Sequence, residues 1–228
     1  MKIRFLAGTV AACVLALAAT AAQAAPIKVN VRVEGVEKTL FEGNVMTEAH
    51  DVTGDASGPH KCDGTNGGAN STPGPTLTGA FDSAMHKAGI AWSGSWSESF
   101  EDFLVDKVGP DAATSTQFWG TVLNFKDTDL GGCQQRVEPA DQVLVAFDSF
   151  GKAKLRLSGE KRAEAGERFA LFVLDGLTGK RVKGATVGGK RTSSKGRVLL
   201  RISRPGVYEF KAAKSGTIRS NRLRVRVR

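Results

Sequence analysis

The sequence predicts an α+β domain followed by an all-β antiparallel sandwich, and three observations carry that reading. Apolar and polar residues alternate at the start of the chain, and a single helical stripe follows at 77–88. After residue 150 the helical period disappears, while short alternating segments separated by glycine turns continue. Charge reverses at the same place. Residues 25–150 carry 8 Lys/Arg against 18 Asp/Glu, a net of about −10, whereas residues 151–228 carry 22 against 5, a net of about +17. The formal net charge of +9 therefore conceals a strongly dipolar chain. The reading is a signal segment at 1–24, one domain at 25–150 and a second at 151–228, with the boundary near Phe150-Gly151.

The first 24 residues read as an export signal. Lys2 and Arg4 precede an apolar run from Phe5 to Ala22, and Ala22-Gln23-Ala24 is a small-x-small cleavage site. Val10-Ala11-Ala12-Cys13 loosely fits a lipoprotein cleavage box, but the apolar run continues past Cys13 to the better site. No later stretch reads as a transmembrane segment. The expected location is secreted or extracellular, with association to the envelope by non-covalent contacts.

Ile27, Val29, Val31 and Val33 alternate with Lys28, Asn30 and Arg32, the pattern of a half-buried strand. Thr39 to Met46 reads as its hairpin partner, joined through Gly35. Residues 51–75 are rich in Gly, Asn, Ser, Thr and Pro and read as a long loop. Leu77, Ala80, Phe81, Ala84, Met85 and Ala88 then fall on one helical face, with Thr76 placed to cap the start and Gly89 the end. Strands follow near Phe103–Val108, Phe118–Phe125 and Gln142–Phe147, so a sheet with one helix on its face is expected. In the second half the apolar sets are Leu155/Leu157, Phe169/Leu171/Val173, Val182 to Val187, Val198/Leu200/Ile202, Tyr208/Phe210/Ala212 and Leu223/Val225/Val227. Glycine-containing turns separate them, as in an antiparallel sandwich.

Cys62 and Cys133 are the two cysteines beyond the signal segment. In an exported chain they are read as one structural disulfide, since nothing at metal-ligand spacing accompanies either. Asp51, Asp55, Asp63, Asn66 and Asn70 supply oxygens, but their spacing matches no established calcium loop, and such residues shape turns by bonding their own backbone. No metal site is expected.

The motifs TLFEG, CDGTNGGAN, TPGPT, GPDAATSTQFWG and GGCQQ, with the Asp141–Phe147 strand, resemble a family of secreted bacterial domains related to the C-terminal β-domain of transcobalamin and intrinsic factor. The resemblance covers Ile27 to Phe150. It implies a β-grasp-like fold and, in the vitamin carriers, one half of a cobalamin-binding cleft. The sequence has no counterpart of the large helical domain that completes that cleft. VKGATV, SSKGRVLLRI and SRPGVYEFKA resemble bacterial immunoglobulin-like or carboxypeptidase-regulatory-like surface modules, which implies an immunoglobulin-like sandwich for 151–228.

Two sets of residues are candidates for binding. Trp92, Trp96 and Trp119, with Phe118, offer a flat apolar platform for a ring ligand, against the simpler reading of core packing. Arg222, Arg224, Arg226 and Arg228 alternate with Leu223, Val225 and Val227, so four guanidinium groups share one face. Lys154 and Arg156 repeat the pattern on the domain's first strand, and if first and last strands are neighbours they form one basic sheet face. That face suits an anionic envelope polymer or a lipid surface. No groove-reading helix points to specific nucleic-acid recognition. It also suits docking on the acidic first half. His50, His60 and His86 show no motif spacing, and no nucleophile elbow is present. A non-enzymatic binding protein is expected, the alternative being a carrier of a cobalamin-like ring ligand, with no resident cofactor.

Overall fold

The computed structural model describes residues 25–228. The signal segment, with Cys13, lies outside the described residues. The first half opens with the antiparallel pair β1 (Ile27–Glu34) and β2 (Thr39–Thr47). Helix α1 (Leu77–Ala88) follows, then β3 (Trp92–Ser97), β4 (Asp102–Val108), β5 (Asp111–Ala112), β6 (Trp119–Leu123), β7 (Lys126–Asp127) and β8 (Gln142–Phe147). The main sheet has the order β2-β1-β8-β6-β7, while β3-β4-β5 form a separate small sheet. Only the central β1–β8 pairing in the main sheet is parallel.

Helix α1 forms where its spacing places it. Thr76 Oγ1 accepts the Gly79 amide at 3.0 Å at the start, and Gly89 ends the helix at φ 64°. Its apolar face buries Leu77, Ala80, Phe81, Ala84 and Met85 against Val29, Val31, Val33, Val45, Val143 and Val145. Full burial of each large side chain contributes about 1.5–3 kcal/mol relative to exposure.

The opposite face of this sheet is exposed at Lys28, Asn44 and Met46 but covered at its other end, which departs in part from the half-buried reading of β1. Arg32 and Glu34 are 5% and 2% exposed. On the same side Val122, Leu144 and Ala146 pack against Ile218 of the second half. Burial on both faces explains why Val143 to Ala146 is a continuous apolar run.

The second half comprises β9 (Ala153–Gly159), β10 (Arg162–Ala163), β11 (Arg168–Asp175), β12 (Thr186–Val187), β13 (Lys190–Arg191), β14 (Arg197–Arg201), β15 (Gly206–Phe210), β16 (Ala212–Ala213), β17 (Thr217–Ile218) and β18 (Leu223–Val227). They form sheets ordered β14-β11-β9-β17, β10-β18-β15 and β13-β12-β16. Leu155, Leu157, Phe169, Leu171, Val173, Val198, Leu200, Leu223 and Val225 make the core. Most ladders are antiparallel, but β9–β17 and β10–β18 are short parallel pairs. Val182 to Gly184 is turn-like rather than extended, so the apolar set there contributes only Thr186-Val187 as strand.

Candidate functional site

The cysteine-bounded motifs build a held loop. Cys62 and Cys133 are joined, their Cα atoms 4.5 Å apart, and both are fully buried beside Val52, Phe103, Trp92 and Trp96. Thr76 ties this bond to the helix, because the hydroxyl that caps α1 also donates to the Cys62 carbonyl at 3.1 Å. The asparagines and aspartates around it satisfy backbone groups. Asp63 accepts the Thr65 amide at 2.9 Å, buried Asn66 donates to the carbonyls of Lys61 and Glu101 at 2.8 and 2.6 Å, and Asn70 donates to that of Gly64 at 2.7 Å. The Gly131-Gly132 pair is required by close approach, since a Cβ at either would collide with Asp102 or Thr78. Asp102 accepts the amides of Phe103 and Cys133 at 2.8 and 3.1 Å. Burial nevertheless pushes its carboxyl above the usual range.

The tryptophans do not share one cleft. Trp119 is 3% exposed and packs edge-on to Phe147 in the main core, while Phe118 beside it is 40% exposed. Trp92 and Trp96 lie on β3. Both rings pack against the disulfide cluster and meet Phe103 edge-on. Trp96 also stacks on His60, ring centroids 4.2 Å apart.

Two histidine clusters emerge that spacing alone did not reveal. Ser57 Oγ lies 2.6 Å from His60 Nε2 and 2.5 Å from Asp55 Oδ1. Asp55 approaches the same ring nitrogen at 3.4 Å, whereas a catalytic triad holds the carboxylate on the other nitrogen. Asp55 also accepts the Trp96 amide, so this cluster braces a loop on β3. In the second cluster buried Asp82 accepts Trp92 Nε1 at 2.9 Å and faces His86 Nδ1 at 3.1 Å and His50 Nε2 at 3.4 Å. The hydrogen bond to Asp82 raises the His50 pKa above its ordinary value, burial opposing. A cavity of about 280 Å³ opens over Asp82, His86 and Trp92. Among the described residues no group of three side chains is placed to hold a metal ion, and no helix is long and apolar enough to cross a membrane.

The basic residues divide into those the fold consumes and those it presents. Glu34, 2% exposed, receives Lys211 Nζ at 2.6 Å and Arg219 Nε at 2.7 Å across the junction between the halves. Lys211 also reaches Glu42 at 2.8 Å. Arg32 donates to the Arg219 carbonyl, and burial pulls its pKa below the ordinary arginine value against the pull of Glu34 and Glu42. Beside this junction lies a cleft of about 450 Å³ containing Asp111, Phe147 and Arg219.

Lys154 corrects the expectation of a single basic face. It is 5% exposed and bonds Asp127 at 2.6 Å, so it belongs to the junction and does not meet solvent. Its strand β9 lies in a different sheet from β18. Asn221, just before β18, joins the two strands by accepting from the Leu157 amide and donating to the Leu157 carbonyl at 3.0 and 3.1 Å, without placing them in one sheet. Along β18, Arg222, Arg224, Arg226 and Arg228 do alternate outward. Arg222 and Arg224 pair with Glu209 at 3.1 and 3.3 Å, and Arg222 also donates to the Glu42 carbonyl. Arg226 and Arg228 take part in no ion pair among the described residues.

A second basic face was missed. On the outer side of β14-β11-β9, Arg168 stands directly opposite Arg201, and Arg197 opposite Phe172. Arg156 is exposed on the same sheet. The outward alternation Arg197-Leu199-Arg201 was as readable as that of the last strand. No protein-family model matches the chain, and no curated protein matches it.

Proposed function

We propose that the protein is an exported, non-enzymatic binding protein whose second half retains it at an anionic envelope. In this reading residues 25–150 form a β-grasp-like module for a ligand or partner, and residues 151–228 an immunoglobulin-like module. A hairpin, a helix and a last strand running parallel to the first support the β-grasp-like part. A buried disulfide is what an oxidising compartment produces. The resemblance to the transcobalamin-related secreted domains points the same way.

One observation carries the retention reading. After the junction has taken Lys154, Lys211 and Arg219 for the acids Asp127, Glu34 and Glu42, many arginines of the second half still face water without a carboxylate. Like charges crowded on one module cost stability, which an anionic partner would offset. Sedimentation of the processed protein with purified envelope fragments tests this. Binding is expected at low salt and should fall steeply as salt rises. Absence at low salt, or indifference to salt, overturns the reading.

The ring-ligand carrier has weaker support. The indoles of Trp92 and Trp96 face the disulfide cluster, and the cavity beside Trp92 is below the size that encloses a drug-sized ligand.

A further inference from the structure

We propose that His50 is a proton-operated latch. Its imidazolium ties the segment after β2 to α1 through Asp82, and loss of the proton loosens the seam between α1 and the small sheet at Trp92. The latch acts within the first half and owes nothing to the retention reading. Each nitrogen of the His50 ring faces an acceptor. Nδ1 lies 2.9 Å from the Glu48 carbonyl, and Nε2 lies 3.4 Å from Asp82 Oδ2. A neutral imidazole has one N–H and one lone pair, so it satisfies only one of them, whereas the imidazolium donates to both. Gly79 makes room for this ring on the helix, because a Cβ there would lie 3.1 Å from His50 Cε1.

The same carboxylate holds β3. Asp82 is 4% exposed, and its other oxygen accepts Trp92 Nε1 at 2.9 Å. Phe81, next to it on α1, meets the Trp92 ring edge-on. Strand β3 belongs to the sheet β3-β4-β5, separate from the main sheet. Its seam with α1 is incompletely filled, since the cavity of about 280 Å³ opens there among Met85, His86 and Trp92. Without its proton, His50 Nε2 turns a lone pair toward a buried carboxylate. A buried charge without a compensating partner is costly, so the neutral ring favours Asp82 turning toward the cavity and releasing Trp92. His86 is no substitute. It faces Asp82 at 3.1 Å, but its side chain is 79% exposed, where solvent screens the attraction. The titratable groups facing His50 are Asp82 from α1, with His86 behind it, and Glu48 from its own segment, while β3 brings Trp92, which does not titrate. The bond to Asp82 outweighs burial, so the latch is fully closed below the ordinary value of 6.5 and opens at a higher pH.

Heteronuclear NMR of the processed protein across the neutral range tests this. Both ring nitrogens of His50 should carry protons at the acid end, with a midpoint above 6.5. Past that midpoint the Trp92 indole proton should exchange about tenfold faster, beyond the intrinsic effect of pH, which is the worth of one charge-assisted hydrogen bond. H50Q should remove this step, and D82N should lower the His50 midpoint. H86Q leaves both His50 contacts in place and should keep the step. The latch is overturned if His50 titrates at or below 6.5, or if Trp92 exchange is indifferent to that titration. Persistence of the step in H50Q, or its loss in H86Q alone, overturns it as well. Should a variant fail to fold, the titration of the unaltered protein still decides.

Discussion

The two halves of the molecule carry opposite charge, and they use it differently. In the first half the acids are largely acceptors for the protein's own donors. Asp55 takes the amides of Ser57 and Trp96, Asp63 that of Thr65, Asp102 those of Phe103 and Cys133, and Asp82 the Trp92 indole. In the second half only a few cations have such work. Arg156, Arg168, Arg197 and Arg201 project from strands whose alternate residues already fill the core. Negative charge in this protein is therefore mostly architecture, and positive charge is mostly presented to solvent. A net charge alone does not distinguish these situations. Partner accounting does.

The sharpest way to break that contrast is to remove the covalent staple that only the first half has. Replacing Cys62 and Cys133 by alanine is expected to cost about 4 kcal/mol in the chain-entropy account, because the bond spans 71 residues. Amide exchange should accelerate in β1, β8 and α1 more than in β9 and β11. Equal acceleration throughout would mean that the halves unfold as one unit and that the contrast is not energetic.

Next in size is the junction, where the two charge economies meet. Glu34→Gln removes the carboxylate from between Lys211 and Arg219 and leaves Arg32 buried with less compensation. Breaking a buried ion pair in this way costs about 3 kcal/mol or more. Urea unfolding of the variant measures it, and a loss below about 1 kcal/mol would show that the junction is open to water.

The smallest effect concerns Asp82, the acid that faces both His50 and His86. His50 is raised by its bond to Asp82. A raised histidine contributes stability that is fully present below its ordinary value of 6.5 and is lost as pH rises through its value in the fold. The thermal midpoint should therefore drop by a degree or two between about pH 6 and 8. His50→Gln should flatten that slope, and an unchanged slope would assign the pH dependence to another group.

Much of this organisation is written locally and was readable. The stripe from Leu77 to Ala88, with Thr76 and Gly89 at its ends, specifies α1 because capping and amphipathic spacing both act within a few residues. The alternation in β1, β2 and β18 was equally plain. Non-local pairing was not. That Arg168 meets Arg201, or that β9 and β18 belong to different sheets, depends on register between segments dozens of residues apart. The burial of Arg32 and Glu34 was hidden for a related reason. Their alternation marks them as an outer face, and only the docking of Lys211 and Arg219 turns that face inward. The strand that carries Trp92 and Trp96 was not among those expected, because Gly94 and the serines around it suit a loop as well as a strand. A Cβ at Gly94 would collide with the Leu104 carbonyl, so that glycine serves strand pairing instead.

The parallel pairing of β1 with β8 has a consequence for how the chain is made. The first strand, β1, lies inside its sheet, yet one of its two neighbours is the last strand of that half. Until Gln142–Phe147 docks, β1 has an open edge and Val29, Val31 and Val33 lack the cover of Val143 and Val145. Such long-range closure is slow and leaves strand edges exposed to other chains. Cys133 lies nine residues before Gln142, so in an oxidising compartment the bond to Cys62 holds the segment next to β8 near the unfinished sheet before that strand docks. Timing, as much as final stability, is what this bond can supply.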